Sequence, residues 1–286
     1  MRYTKKAFTL IELLVVIAII ALLLAVIMPA LNKAKDIAKM VVCLSNHKTL
    51  VMAWKAYSAD NNGEIVDGHT LRGGTVEDSL RHWVEPPISY TAAGKSKNES
   101  QSQPGNQTLK EHELNGIRAG TLYPYVENVD VYRCPAERRG KQGIGVLSSF
   151  RTYSIPAPMN GEYPSHYDER GHNIRVTKDS QIKNSAAKFV FIDDFDPRSW
   201  NMGSWIFGFQ ANGAHTFSDP IGVFHFKKCN FSFADGHANA YVWKDRRTHK
   251  ASRYRALGEG VSADANPGTA LDNEDLRFLG RGYKPR

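Results

Sequence analysis

The stretch "KKAFTLIELLVVIAIIALLLAVIMPA", residues 5–30, decides how the rest of the chain is read. From Leu13 to Asn32 there is no charged residue, and a run of about 20 apolar residues is what a helix needs to cross a bilayer's hydrocarbon. Arg2, Lys5 and Lys6 stand just before the run. By the positive-inside rule they hold the N-terminus in the cytoplasm and send everything after the run across the membrane. Glu12 is the anomaly. A carboxylate at membrane depth costs at least ~2.5 kcal/mol and is normally met by a partner. A secretory signal peptide has a shorter apolar region, and an ordinary single-span anchor leaves Glu12 unexplained.

The remaining sequence is polar by contrast. Of 286 residues 42% are hydrophobic, but those residues are concentrated at the N-terminus, so the rest reads as one modest domain on a long stalk. The net charge is +8; setting aside the three basic residues before the apolar run leaves +5, a weak basis for specific nucleic-acid binding.

"KKAFTLIELLVVIAII" resembles the N-terminus of type IV pilins and type II secretion pseudopilins, in which a short basic leader precedes a Phe-Thr-Leu-Ile-Glu start to the apolar helix. The resemblance implies a leader at residues 1–7, cut between Ala7 and Phe8 by prepilin peptidase, with methylation of the new amine at Phe8. Glycine usually precedes the cut; here it is Ala7. Residues 8–31 then form the transmembrane and filament-core helix. On the same resemblance, Glu12 is an assembly residue. The amine at Phe8 of one subunit and Glu12 of its neighbour are each costly alone at membrane depth but tolerable as a pair, and the pairing fixes the axial offset between subunits.

After Pro29 the pattern becomes amphipathic. Met40, Cys43, Leu44, His47, Leu50, Val51, Trp54 and Tyr57 recur at three- and four-residue spacings, one face of a helix. The spacing predicts a helix from about Thr9 to Asp60, ending at Asn61-Asn62-Gly63, with residues 32–62 as an amphipathic stalk. Pro29 removes one backbone hydrogen bond and is expected to kink or locally melt it. His47, on the apolar face, reads as a buried, hydrogen-bonded histidine, and Trp54 and Tyr57 as core.

Residues 63–286 read as the exported β-rich domain, so the fold class is α+β: a long N-terminal helix packed on an antiparallel sheet with irregular insertions. Residues 92–118 are poor in apolar side chains and read as a mobile surface insertion; residues 160–173 read as a second polar loop. A strand is expected over 187–192. "GVFHFKKCNFSFADGHANAYVW" alternates as three strands near Val223–Phe226, Asn230–Ala234 and Ala238–Trp243, with Asp235-Gly236 as a two-residue hairpin turn. The basic segment 244–255 reads as solvated.

His225, nine intervening residues, then Asp235 and Gly236 resemble the H-X9-DG motif of a pilin-like family found mainly in Planctomycetes, Verrucomicrobia and Lentisphaerae. That family also carries a cysteine followed by Ser-Asn after the stalk, as in "CLSN" from Cys43, and a mid-chain Cys-Pro, as at Cys134-Pro135. The motif is expected to be structural, its imidazole bonding a turn backbone and its Asp-Gly making the turn. The alternative is a metal or sugar site drawn from Asp193, Asp194, His225 and Asp235, with Asp196 and His237 nearby. Calcium is the metal favoured by oxygen ligands, although "DDFDP" lacks the order of an EF-hand loop. No metal or other cofactor is otherwise expected.

Three cysteines in an exported body suggest one bridge and one free thiol. Cys43 and Cys134 are family landmarks and Cys229 is not, so the expected disulfide is Cys43–Cys134. It would close about 90 residues and contribute roughly 4–5 kcal/mol in the chain-entropy model. No CxxC or Cys/His spacing suggests zinc, and a metal-thiolate site is not expected.

No nucleophile–base pair, phosphate-binding loop or paired-carboxylate motif suggests an enzyme. The expected function is a structural subunit. It would be processed by prepilin peptidase, held in the inner membrane with its C-terminal domain outside the cytoplasm, and assembled into a type IV-like or pseudopilus filament. Its partners would be that peptidase, membrane lipid, other copies or related pilins, and the secretion or pilus assembly machinery. The alternative is a membrane-anchored extracytoplasmic carbohydrate-binding protein that forms no filament.

Overall fold

Leu10 to Asp60 form one helix, α1, roughly 77 Å long at 1.5 Å per residue. The computed structural model describes residues 9–70, 82–91, 94–97, 110–137, 151–161, 168, 170–194, 204–208, 216–217, 219, 221–222, 224–225, 227–250 and 272–285. The helix starts where local chemistry starts it. Thr9 is extended, its hydroxyl accepts the Glu12 N–H, and the Glu12 carboxylate accepts the Thr9 N–H in return. This reciprocal arrangement satisfies two donors that a helix end otherwise leaves unpaired. The helix continues unbroken through Pro29, so the expected local melting is not found. It ends where the Asn61 N–H turns back to Tyr57 and Ser58 and where Asn62 and Gly63 take positive φ.

The two halves of α1 meet different surroundings. Large apolar side chains from Leu10 to Leu31 are exposed, with no protein over them. Farther along, Cys43, His47, Leu50, Val51, Trp54 and Ser58 turn inward and are buried. They dock on a sheet.

Beyond α1 come a hairpin of β1 (Ile88–Thr91) and β2 (Gly94–Lys97), then the helices α2 (Lys110–Ala119) and α3 (Tyr123–Val126). Strands β3 (Tyr153–Ser154) and β4 (Phe189–Asp193) follow, then the short pair β5 (Phe207–Gly208) and β6 (Thr216–Phe217). Strands β7 (Lys228–Phe233) and β8 (Ala238–Val242) and a C-terminal helix α4 (Glu274–Tyr283) complete the order. The main sheet is antiparallel in the order β3-β4-β7-β8. The arrangement is α+β and pilin-like: a long apolar helix whose second half packs on an antiparallel sheet.

The period-2 alternation of strands divides the core in two. On β7, Cys229, Phe231 and Phe233 join a cluster with Leu276, Leu279 and Tyr283 of α4. The intervening residues Asn230 and Ser232 are also buried, and alternation turns them toward α1. The α1 side holds Cys43, Leu50, Val51 and Trp54 with Trp83, Tyr132, Cys134, Tyr153 and Phe191. A register shift between Phe189 and Phe191 lets Val190 and Phe191 both face this side. The domain is therefore a helix–sheet–helix sandwich, with α1 and α4 on opposite faces.

Three expectations need correction. The segment 92–118 is not an unstructured insertion throughout: Gly94–Lys97 pairs with Ile88–Thr91, and Lys110–Ala119 is a helix that buries Leu114 and Ile117. Residues 98–109 lie outside the described residues. The first of the three expected strands is absent where described, His225 making only an isolated bridge to Lys228. The hairpin loop closed by the Phe233–His237 pair has three residues, Ala234 to Gly236, not two. The N–H of Gly236 bonds to Phe233 O and that of Phe233 to His237 O, while Ala234 and Asp235 keep negative φ and Gly236 takes φ +97°. That is a turn followed by one left-handed residue, the geometry of a bulged hairpin, and glycine adopts it without strain.

Candidate functional site

Two features of α1 carry chemistry. The first is its start. Ala7 and Phe8, the expected cleavage pair, lie outside the described residues. Glu12 is exposed and its carboxylate also accepts the Thr9 hydroxyl at 2.8 Å. Within one chain, then, the partner of Glu12 is its own helix N-cap, a role visible in the Thr-x-x-Glu spacing but not read from it.

The second feature is the junction of α1 with the sheet. Cys43 and His47, one turn apart on α1, face the β3–β4 edge. His47 Nε2 lies 2.9 Å from Asp193 Oδ1, both side chains being fully buried. The other Asp193 oxygen accepts the Asn230 N–H at 2.7 Å. Cys43 Sγ lies 3.4 Å from Asp193 Oδ1 and 3.2 Å from the Tyr153 hydroxyl, and the Tyr153 ring meets the His47 ring edge-on at 4.4 Å. Cys134 follows the short helical turn Val129–Tyr132, and Thr152 Oγ1 accepts its N–H at 2.6 Å. Its sulfur lies 3.2 Å from His225 Nε2.

These contacts meet in one place. The donor atoms of Cys43, Cys134 and His225 lie within 4.8 Å of one another, and so do those of Cys43, His47 and Asp193. Cys43 belongs to both groups. Cys43 and Cys134 are thiols here, as is Cys229, which belongs to the α4-side cluster. Burial pushes the Cys43 thiol well up, aided by its bond with Cys134 and the charge of Asp193. For His47, burial alone would lower the pKa, but its bond with Asp193, its bond with Cys43 and the Asp193 charge outweigh it and lift the value to about 9. The same balance of burial against Cys43 and Asp193 leaves His225 raised. Around this cluster, the fully buried Asn230 side chain and His47 Nδ1 have no hydrogen-bond partner among the described residues.

The oxygen-rich alternative does not come together as one group. Asp193 and His225 border the cysteine cluster. Asp194, the next residue along the strand, accepts the Ser154 hydroxyl instead, since successive strand residues face opposite sides. Asp235 is exposed on the hairpin loop, where it accepts the His237 N–H and meets its Nδ1 at 2.6 Å. Asp196 lies outside the described residues. His225 and the Asp235-Gly236 pair thus have two separate duties. His225 enters the buried cluster, whereas the Asp235-Gly236 loop meets the stalk: Lys48 donates to Gly236 O at 2.6 Å and Lys55 to Ala234 O at 3.2 Å.

Residues 2–28 match the prokaryotic N-terminal methylation motif. The match covers the basic leader, Glu12 and most of the apolar run, and marks the chain as a prepilin-like substrate of prepilin peptidase. Over the same region α1 is long and apolar enough to cross a membrane and is uncovered by protein, which fits a membrane anchor. No curated protein and no solved structure matches the chain.

Proposed function

We propose that this protein is a non-enzymatic filament subunit: cut between Ala7 and Phe8, methylated at Phe8, held in the inner membrane by residues 8–31, and assembled into a type IV-like or secretion pseudopilus. The observation that carries the reading is the methylation motif over residues 2–28, continuous with an apolar half-helix that the domain leaves bare. A bare apolar surface of this length requires either lipid or the equivalent helices of other subunits, and a prepilin meets both in turn. Glu12 is the residue that would discriminate between the two surroundings, because its charge is costly in lipid and useful beside a neighbour's amine.

The test is direct. Intact-mass and N-terminal peptide analysis of membrane-extracted protein should give a chain starting at methylated Phe8. Sheared surface material or a crosslinked periplasmic fraction should contain the mature chain in an ordered polymer. An intact Met1 terminus would overturn the processing step. A processed chain that stays monomeric in the membrane would favour an anchored ligand-binding protein instead.

A further inference from the structure

We propose that Cys43, Cys134 and His225 bind a zinc ion that staples the stalk helix to the sheet domain, with Asp193 and His47 packed beside Cys43 as its neighbours. The three residues come from three different parts of the fold: α1, the segment after Val129–Tyr132, and the approach to β7. All three are buried, and their donor atoms are mutually within 4.8 Å.

The donor chemistry and the spacing both fit. Zinc prefers thiolate sulfur and imidazole nitrogen in a tetrahedron, with Zn–S near 2.3 Å and Zn–N near 2.0–2.1 Å, which sets neighbouring ligand atoms roughly 3.3–3.8 Å apart. Cys134 Sγ and His225 Nε2 are 3.2 Å apart, and Cys43 Sγ lies within 4.8 Å of both. Side-chain rotation of the two cysteines closes the remaining gap to the tetrahedral spacing. Two thiolates also cancel the ion's charge, so zinc with its three protein ligands Cys43, Cys134 and His225 is neutral, as a dry interior requires. The surrounding shell has the form metal sites use: Asp193 is fixed by the Asn230 N–H and by His47, and Tyr153 touches Cys43.

A Cys43–Cys134 disulfide is the rival use of the same sulfurs, and it accounts for less. A disulfide has no S–H to donate, so His225 Nε2, which lies 3.2 Å from Cys134 Sγ, would face a weak acceptor in a buried position. It would also leave Cys43 no reason to sit against Asp193 and His47. A metal engages both sulfurs and the imidazole at once, and leaves Asp193 and His47 beside Cys43. Cys229, on the other face of the sheet, has no part in the site, and the inference does not depend on whether the protein forms filaments.

The experiment uses the full-length chain, exported and purified in detergent without chelator, with metal content measured alongside intact mass under non-reducing conditions. The expected result is one zinc per chain and no mass loss for a disulfide. Replacement of zinc by cobalt should give a sulfur-to-cobalt charge-transfer absorption. Cys43→Ser, Cys134→Ser and His225→Gln each remove a direct ligand and should weaken zinc binding by more than the roughly 10- to 100-fold cost of losing an outer-shell partner, whereas Cys229→Ser should leave it unchanged. Should the cysteine variants fail to fold, the unaltered chain still decides: a chelator should lower its melting temperature and added zinc restore it. A Cys43–Cys134 disulfide in metal-free protein overturns the proposal. So does reduced protein that neither retains zinc nor is stabilised by adding it.

Discussion

Lys48 Nζ donates to the carbonyl oxygen of Gly236 across 2.6 Å, although the two residues are 188 apart in sequence. With Lys55 on Ala234 O, this bond ties the stalk helix to the loop that carries Asp235 and Gly236. A loop carbonyl that meets an ammonium loses little by leaving water, because hydrogen bonds to charged groups contribute about 1.5–3 kcal/mol. Lys48→Met keeps the apolar stem that lies on the surface and removes only the donor. It should lower domain stability by about 1–2 kcal/mol, read as a lower denaturant midpoint at unchanged slope. An unchanged midpoint would mean that the bond exchanges freely with water.

On the opposite face, Gly282 of α4 lies flat against the Phe189 ring. A Cβ built there would come within 2.0 Å of the ring carbon Cζ; Gly282 is buried and Phe189 belongs to the α4-side core. The ring is hemmed in by Phe231 and Phe278, at centroid distances of 4.5 and 5.2 Å, so it cannot simply swing away. Gly282→Ala would gain helix propensity but overpack the core, at a cost of about 1–3 kcal/mol. Thermal unfolding of the variant should show a clear loss, and a gain would show that α4 shifts freely on the sheet.

The parts legible in sequence were those set by local pattern. The extent of α1 followed from its periodicity and from Asn61-Asn62-Gly63, and β7 and β8 from their alternation. What was missed depended on distant partners. Cys134 and His225 are 91 residues apart, and no spacing rule links them to Cys43; only the docking of α1 on the β3–β4 edge does. Helix α2 had a local signal, Glu111 and Glu113 in its first turn and the Leu114/Ile117 pair, but the polar residues before it masked that signal. The Asp235-Gly236 pair suggested a two-residue turn, but the turn itself is Ala234-Asp235, and Gly236 is the left-handed bulge residue that meets α1.

Asp235 gives the hairpin loop a measurable pH dependence. Partial burial alone would raise its pKa, but the His237 N–H and ring pull harder and hold it below the ordinary 3.8. A carboxyl depressed in the folded state contributes stability that is fully present above the unfolded value and lost as pH falls through the folded one. Asp235→Asn keeps an oxygen for the His237 N–H and removes the charge. The variant should be slightly less stable at neutral pH, because the group is exposed, and the difference should shrink below about pH 4. Stability curves for both proteins between pH 2 and 7 would test this, and a gap that widens in acid would reverse the assignment.

Glu12 has two separable duties, and one substitution distinguishes them. In the single chain its carboxylate closes the N-cap with Thr9; in the proposed filament its charge neutralises the methylated amine of a neighbouring Phe8. Glutamine is also accepted at this third helical position of a capping box, so Glu12→Gln retains the cap and removes only the charge. Glu12→Val removes both. If the charge pairing drives assembly, both variants should be cleaved and membrane-inserted at normal or higher levels, since a residue costly in lipid has been replaced, and both should fail to form filaments. If capping is what matters, Glu12→Gln should assemble normally while Glu12→Val does not. Quantifying mature subunit in the membrane and in sheared filaments for the two variants separates these outcomes, and normal assembly of Glu12→Gln would refute the pairing. The expected result is loss in both, because a cap at an exposed helix end contributes only about 0.5–2 kcal/mol, whereas an amine left unpaired at membrane depth has a cost repeated at every subunit of the polymer.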